Sequence, residues 1–256
     1  MSNLSFITLL SYDYRYAYSA IRSYYELADE IILGLDKDRL TWSGNQFEFD
    51  LTGFETFLNQ YDHAHKIRLV EDNFHPLSSA RENDTRERNY LSYYCQGDNW
   101  IIQIDADEIL LNPLPFQEWM LTANPEACIY ARWISVFKVL DEFVLAIDPP
   151  IEYTAIGIKT PGLYTDCRET SQPRVVSPLN LLHFSWGRSE AELLTKLQNW
   201  SHNQDFDIQH YFEFWKSVNA ENYASITNFH PIDGPAWQRL VAVPFEMLPA
   251  GRELLP

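Results

Sequence analysis

The stretch NWIIQIDADEIL, residues 99–110, drives Trp100, Ile101, Ile102 and Ile104 straight into Asp105, Asp107 and Glu108. A carboxylate taken out of water without a partner carries a penalty of several kcal/mol. These acids therefore either lie in water just past a strand end or share a positive partner. An Asp-x-Asp at a strand end suits a divalent cation. Residues two apart on a strand project alike, and hard oxygen donors are what Mg²⁺ and Mn²⁺ take. A cation held there can clamp a diphosphate and stabilise charge on a leaving group.

Working outward, residues 5–11 (SFITLLS) read as a buried strand, 16–27 as an amphipathic helix, and 31–35 (IILGL) as a second strand ending at Asp36. That is a βαβ unit. Residues 54–61 and 82–96 read as further helices, 66–70 and 100–104 as further strands, with Gly97 and Asp98 closing the second helix. The alternation predicts an α/β fold with a mostly parallel central sheet flanked by helices. In such sheets ligands gather at the carboxyl ends of the strands. Residues 11–14, Asp36, and Asp105 with Asp107 fall at three such ends.

Downstream, Pro113 and Pro115 mark a turn and residues 116–122 a short helix. Residues 127–139 and 142–147 read as a hairpin-like strand pair. Five prolines, Pro149, Pro150, Pro161, Pro173 and Pro178, punctuate a loop-rich stretch. Residues 179–186 (LNLLHFSW) are strand-like. Residues 189–199 form a helix with Ser189 as N-cap and Glu192 at the capping-box position, which begins a C-terminal helical segment.

The chain has 256 residues, 46% of them apolar, which is enough for a sizeable core and argues against disorder. A formal charge of -17 repels phosphate backbones and anionic lipid, so duplex nucleic acid is disfavoured as a partner. Aromatics at 15% hint at sugar-stacking faces as well as core. Cys95, Cys128 and Cys167 have no CxxC spacing and read as reduced thiols rather than a disulfide or zinc framework. No signal peptide or membrane-length apolar run is evident, so a cytoplasmic protein with no transmembrane segment is expected.

The βαβ start, Asp36, the pair Arg88 and Asn89 on the helix before the strand, and IDADE after it together resemble the family 2-like glycosyltransferases of the GT-A fold. The segment LLHFSWGRSEAELLTKLQNWSHNQDFD, residues 181–207, resembles a His-x-Ser-Trp, Lys-Leu, Ser-His module of β-1,4-N-acetylglucosaminyltransferase relatives. The resemblance implies a GT-A nucleotide-diphospho-sugar transferase fold. It implies a nucleotide-sugar-binding and catalytic core over residues 1–188. A helical acceptor-side extension over 189–256 would belong to the same globular unit. It further implies Mn²⁺ or Mg²⁺ held by Asp105, Asp107 and His183. Mn²⁺ is favoured, because an imidazole beside carboxylates suits it better. The nucleotide sugar would meet Ser11, Tyr12, Tyr14, Asp36, Arg81, Arg88, Asp105, Ala106, Trp186 and Lys196. His202 would sit near phosphate or acceptor. The acceptor would be a glycan or other hydroxyl compound, and an inverting transfer needs a carboxylate base to activate it. The family's usual pair of adjacent acids is not evident. The candidates between the two motifs are Asp141, Asp148, Asp166 and Glu169, of which Glu169 and Asp166, in the polar loop TDCRETSQ shortly before His183, are favoured.

Plainer readings stand beside these. Arg81, Arg86 and Arg88 interleave with Glu82, Asp84 and Glu87 as helix-surface ion pairs would. Asp36 can be a solvated turn, His183 and Trp186 core residues, and Lys196 a snorkelling side chain. His63, His65 and His75 read as surface-loop histidines. Two other functions remain open: a metal-dependent phosphohydrolase with Asp105 as nucleophile, and a non-catalytic carbohydrate-binding protein.

Overall fold

The computed structural model describes residues 3–199, 206–248 and 251–254. In chain order the elements are β1 (Leu4–Leu10), α1 (Ala17–Tyr24), β2 (Glu30–Asp36), α2 (Leu51–Tyr61), β3 (Ile67–Asp72), α3 (Ala80–Ser92), β4 (Trp100–Gln103) and β5 (Glu108–Leu110). There follow α4 (Pro113–Met120), β6 (Cys128–Val139), β7 (Phe143–Asp148), β8 (Tyr153–Ile158), β9 (Arg174–His183), α5 (Glu190–Asn199), α6 (Ile208–Ser217) and β10 (Arg239–Pro244). The chain divides into two compact units, one of Met1–Ala131 and Thr154–Asn180, the other of Arg132–Tyr153 and Leu181–Leu255. His202 lies outside the described residues.

The first unit is built on parallel strands in the order β3-β2-β1-β4, with Phe6 opposite both Ile31 and Ile102. Every residue of β1 is buried, as expected for a strand covered on both faces. Each Ile or Leu so buried contributes about 1.5–3 kcal/mol. Helix α1 turns Ala17, Ala20, Ile21 and Tyr24 inward at helical spacing. The Tyr24 ring stacks on Phe6 with centroids 4.6 Å apart, and its hydroxyl meets Thr8 Oγ1 at 2.7 Å. Helix α3 opens on Ser79, whose hydroxyl accepts from the Glu82 N–H. It runs so close to β2 that a Cβ on Gly34 would overlap the fully buried Leu91 side chain.

The sheet is mixed rather than mostly parallel. β8 runs antiparallel beside β4, pairing Ile158 with Ile101. It was hidden in the proline-punctuated stretch because it is six residues long and carries Gly157. The missing side chain there lets Ile129 and Ile102 pack against the backbone; an added Cβ would stand 3.0 and 3.2 Å from them. β5, missed between the acids and Pro113, pairs with β9.

In the second unit, the later half of β6 pairs antiparallel with β7, and β7 with β10. The expected hairpin-like pair is present. The C-terminal part is not only helical, because β10 supplies an edge strand that its short RLVAVP run did not announce. Phe137, Trp186, Tyr211, Trp215, Phe229 and Trp237 form the core of this unit. The capping box closes as its spacing predicts: the Glu192 carboxylate accepts from the Ser189 N–H at 3.0 Å, and Ser189 Oγ accepts from the Glu192 N–H at 3.4 Å. Lys138 Nζ donates to the carbonyls of Trp215, Lys216 and Val218 at 2.9, 3.0 and 2.6 Å, satisfying the end of α6. Among the described residues no helix is long and apolar enough to cross a membrane.

Gly34→Val is expected to destabilise the protein by about 1–3 kcal/mol through overpacking against Leu91. Urea denaturation measures it, and an unchanged midpoint would mean α3 does not press on β2.

Candidate active site

Helix α3 carries an inverted pattern. Its buried face is polar: Asn83, Asp84, Glu87 and Arg88 point inward with Leu91 and Ser92. The surface ion-pair reading of this helix therefore fails for three of its charged residues, which are inside. Arg88 is 2% exposed. Its Nε donates to Asp84 at 2.5 Å, and its Nη1 and Nη2 donate to the two Asp105 oxygens at 2.8 and 3.2 Å. Its guanidinium also lies 5.6 Å from the Trp42 ring centroid.

A second guanidinium, from Arg168, reaches the same place. Arg168 pairs with Asp105 and donates to Glu108 Oε1 at 2.9 Å and to Thr154 Oγ1 at 3.3 Å. Glu108 is fully buried and returns its other oxygen to the Asp105 N–H at 2.9 Å. Burial by itself raises the Asp105 carboxyl pKa, but Arg168 and Arg88 override it and hold the group well below the usual carboxylate range. Of the acids after β4, Asp105 is compensated by the two buried arginines and Glu108 by Arg168.

Residues 105–108 form a turn, closed by the Glu108 N–H donating to the Asp105 carbonyl at 3.0 Å. Strand alternation therefore does not govern where Asp105 and Asp107 point. Ala106 is 3% and Asp107 5% exposed, and the Asp107 charge acts on Asp105. Among the described residues no group of three His, Cys, Asp or Glu side chains is gathered to hold a metal ion. Mg²⁺ that arrives with a substrate phosphate needs only one or two carboxylates, the rest being phosphate and water. Within this turn both Asp105 oxygens are engaged by guanidinium groups.

The other expected contacts are distributed as follows. Asp36 is fully buried: one oxygen accepts from the N–H groups of Asp38 and Leu40 and the other from Phe74 and His75, so it anchors two loops. His75 is buried, not a surface histidine. Its Nε2 lies 2.8 Å from Glu87 Oε2, its Nδ1 2.6 Å from the Leu40 carbonyl, and Trp42 Nε1 donates to the same Glu87 oxygen. Burial disfavours the charged imidazole, yet Glu87, the Leu40 carbonyl and Asp36 together hold its pKa above the ordinary value. Ser11 and Tyr12 are half-buried in the turn after β1. Tyr14 is buried, and its hydroxyl accepts from the Asp50 N–H at 3.2 Å.

No family model matches this chain, and no curated protein matches it. Solved structures similar to it include glucosyl-3-phosphoglycerate synthase from Mycobacterium tuberculosis, determined with Mn²⁺, UDP and glucosyl-3-phosphoglycerate. That match has 17% identity and a TM-score of 0.32, over 52% of this chain and 44% of that one. Inositol-1-phosphate CTP transferase from T. maritima is similar at 9% identity and a TM-score of 0.44, over 77% and 96%. Francisella tularensis 2-C-methyl-D-erythritol 4-phosphate cytidylyltransferase is similar at 11% and 0.30, over 84% and 87%. This chain spans less than half the length of the two mycobacterial structures it matches, 42% and 44%.

The loop holding the two expected bases is a tight one. Asp166 and Glu169 are bridged, Cys167 takes φ +48°, and the Cys167 N–H donates to Thr85 Oγ1 at 2.6 Å. Asp166 is paired with the exposed Arg81, and that hydrogen bond holds its pKa below the ordinary value. Glu169 is exposed and accepts from the Tyr130 hydroxyl at 2.8 Å. Asn89 staples the start of this loop through the Tyr164 backbone, at 2.7 and 3.0 Å. Between the two acids sits Arg168, which a search for bases overlooks. The signal for it was the unbalanced charge of DADE, which demands a cation from elsewhere in the chain.

In the second unit His183 ends β9, with its ring stacked 4.5 Å from Trp133. Trp186 is 4% exposed, with Tyr211 and Trp237 rings at 5.1 and 5.6 Å, and so fills the core. Lys196 is half-buried on α5.

Arg88→Met leaves Asp84 and Asp105 without their shared cation. Chemical denaturation is expected to show a loss of about 3–5 kcal/mol; a loss below about 1 kcal/mol would show that Arg168 alone suffices. For His75 the raised folded pKa means its contribution is fully present below about pH 6.5 and fades as pH rises through the folded value. The stability difference between wild type and His75→Gln is therefore expected to shrink toward alkaline pH. A difference flat from about pH 5 to about pH 9 would mean the imidazole stays in one protonation state throughout.

Proposed function

We propose that this chain is a nucleotide-sugar-dependent glycosyltransferase. It would move a sugar from a nucleoside-diphosphate donor to an acceptor hydroxyl with inversion, in glycan or polysaccharide synthesis. The observation that carries the reading is the turn at residues 105–108. It follows the last of four parallel strands, and two buried guanidiniums keep Asp105 ionised within it. Carboxyl ends of parallel strands are where α/β sheets bind nucleotides.

Asp107 is the residue that would hold Mg²⁺ or Mn²⁺ against the diphosphate, with Asp105, whose two oxygens are taken by Arg88 and Arg168, fixing the turn beside it. When bound, the cation neutralises charge on the departing diphosphate. Arg88 and Arg168 keep the turn in one geometry before substrate arrives, so little reorganisation is left for the reaction. Of the two expected bases, Glu169 is better placed to take a proton. Asp166 is tied to Arg81, which lowers its basicity. The phosphohydrolase reading is disfavoured because an Asp105 nucleophile would have to leave two guanidinium partners before attack.

The test is a calorimetric panel of UDP, GDP, CDP and dTDP, with and without Mn²⁺, on wild type and Asp107→Asn. One nucleotide is expected to bind in a metal-dependent way, with affinity reduced at least about tenfold in the variant. Absence of binding by every nucleotide would sink the proposal.

A further inference from the structure

One face of the later half of β6 gathers chemistry that the diphosphate end of the reaction does not use. Trp133 and Ser135, two apart on the strand, share that face. Trp133 is half-buried, and its indole is stacked on the His183 imidazole at 4.5 Å with 25° between the planes. Beside it the chain returns at Glu152, whose carbonyl accepts the Trp133 N–H at 2.9 Å. The Glu152 carboxylate accepts from the Ser135 hydroxyl at 3.2 Å and remains half-buried. His230, whose Nδ1 accepts from the Asp233 N–H at 2.9 Å, lies within range of the Glu152 charge. Burial holds that imidazole pKa below its ordinary value, and Glu152 only partly opposes this.

An aromatic plate with a carboxylate and a hydroxyl at its edge is complementary to a neutral sugar ring. The C–H face of a pyranose packs on the indole, and its hydroxyls find acceptors at the rim. The Glu152 carboxylate at the rim repels an anionic occupant. We propose that Trp133, His183, Ser135 and Glu152 form a saccharide subsite of the second unit, with Glu152 accepting a hydrogen bond from a sugar hydroxyl. In the reading above, which this inference deepens, that sugar is the acceptor.

The experiment is saturation-transfer NMR and titration of the full chain with maltose, cellobiose, lactose and N,N′-diacetylchitobiose, in parallel with the nucleotide panel. At least one disaccharide is expected to bind. Trp133→Ala should weaken it at least about tenfold and Glu152→Gln about three- to tenfold, while Trp133→Phe retains part of the affinity. Thermal melts of each variant, with retained nucleotide binding, separate a lost subsite from a lost fold. No binding by any disaccharide, or binding indifferent to both positions, overturns the subsite even where nucleotide binds. Disaccharide bound through Trp133 in a chain that ignores every nucleotide would uphold the subsite and overturn the transferase.

Discussion

A guanidinium sealed from water must be matched on every side, and Arg88 sets that condition for the first unit. With Asp84 on its own helix and Asp105 on the turn after β4, it can be satisfied only if α3 and β4 hold one separation and one rotation. Arg168 then completes the balance for Asp105 and Glu108 and brings the loop around residues 164–169 with it. Such a network is fragile when one member is removed and gives little net stability when whole. Its retention in the interior is better understood as a positional device than as a source of folding energy.

The same arithmetic changes how the acidic turn is read. Asp105, with two cations already against it, is half of a settled ion cluster; Asp107 brings further negative charge beside it. A turn already fixed by protein charges can receive a charged ligand without first being organised by it. Two loops are fixed in a comparable way by Asp36, which spends both oxygens on four backbone N–H groups.

Much of the first unit was legible because its strands are unbroken apolar runs and its first helix alternates at the right spacing. The parallel pairing of β1, β2, β3 and β4 followed from those local patterns, although the sheet is mixed, and in the second unit the capping box at Ser189 followed from its own spacing. The antiparallel strands β8 and β10 did not, since both are short and flanked by prolines that read as loop. At the site, Asp105, Asp107 and Arg88 stood out by type and position. Their mutual pairing did not, because α3 inverts the usual rule and hides charge on its inner face. His75 looked like surface for the same reason: nothing local shows that Glu87 waits opposite it. The unbalanced charge of DADE called for a cation, but that Arg168, 60 residues from Glu108, supplies it became visible only when the chain was folded.

The division of the chain has a temporal consequence. The first unit is interrupted by residues 132–153, and its β8 comes only after that interruption. The hairpin within the interruption belongs to a unit whose helices begin some way further on, and Lys138 waits for carbonyls 77 to 80 positions downstream. As the polypeptide emerges from the ribosome, the parallel strands can gather early. Neither unit can close its sheet and core until the later segments are made. Until then the ammonium of Lys138 and the apolar faces of β6 and β7 stand in water, so synthesis passes through a stage in which half-built surfaces need protection from one another.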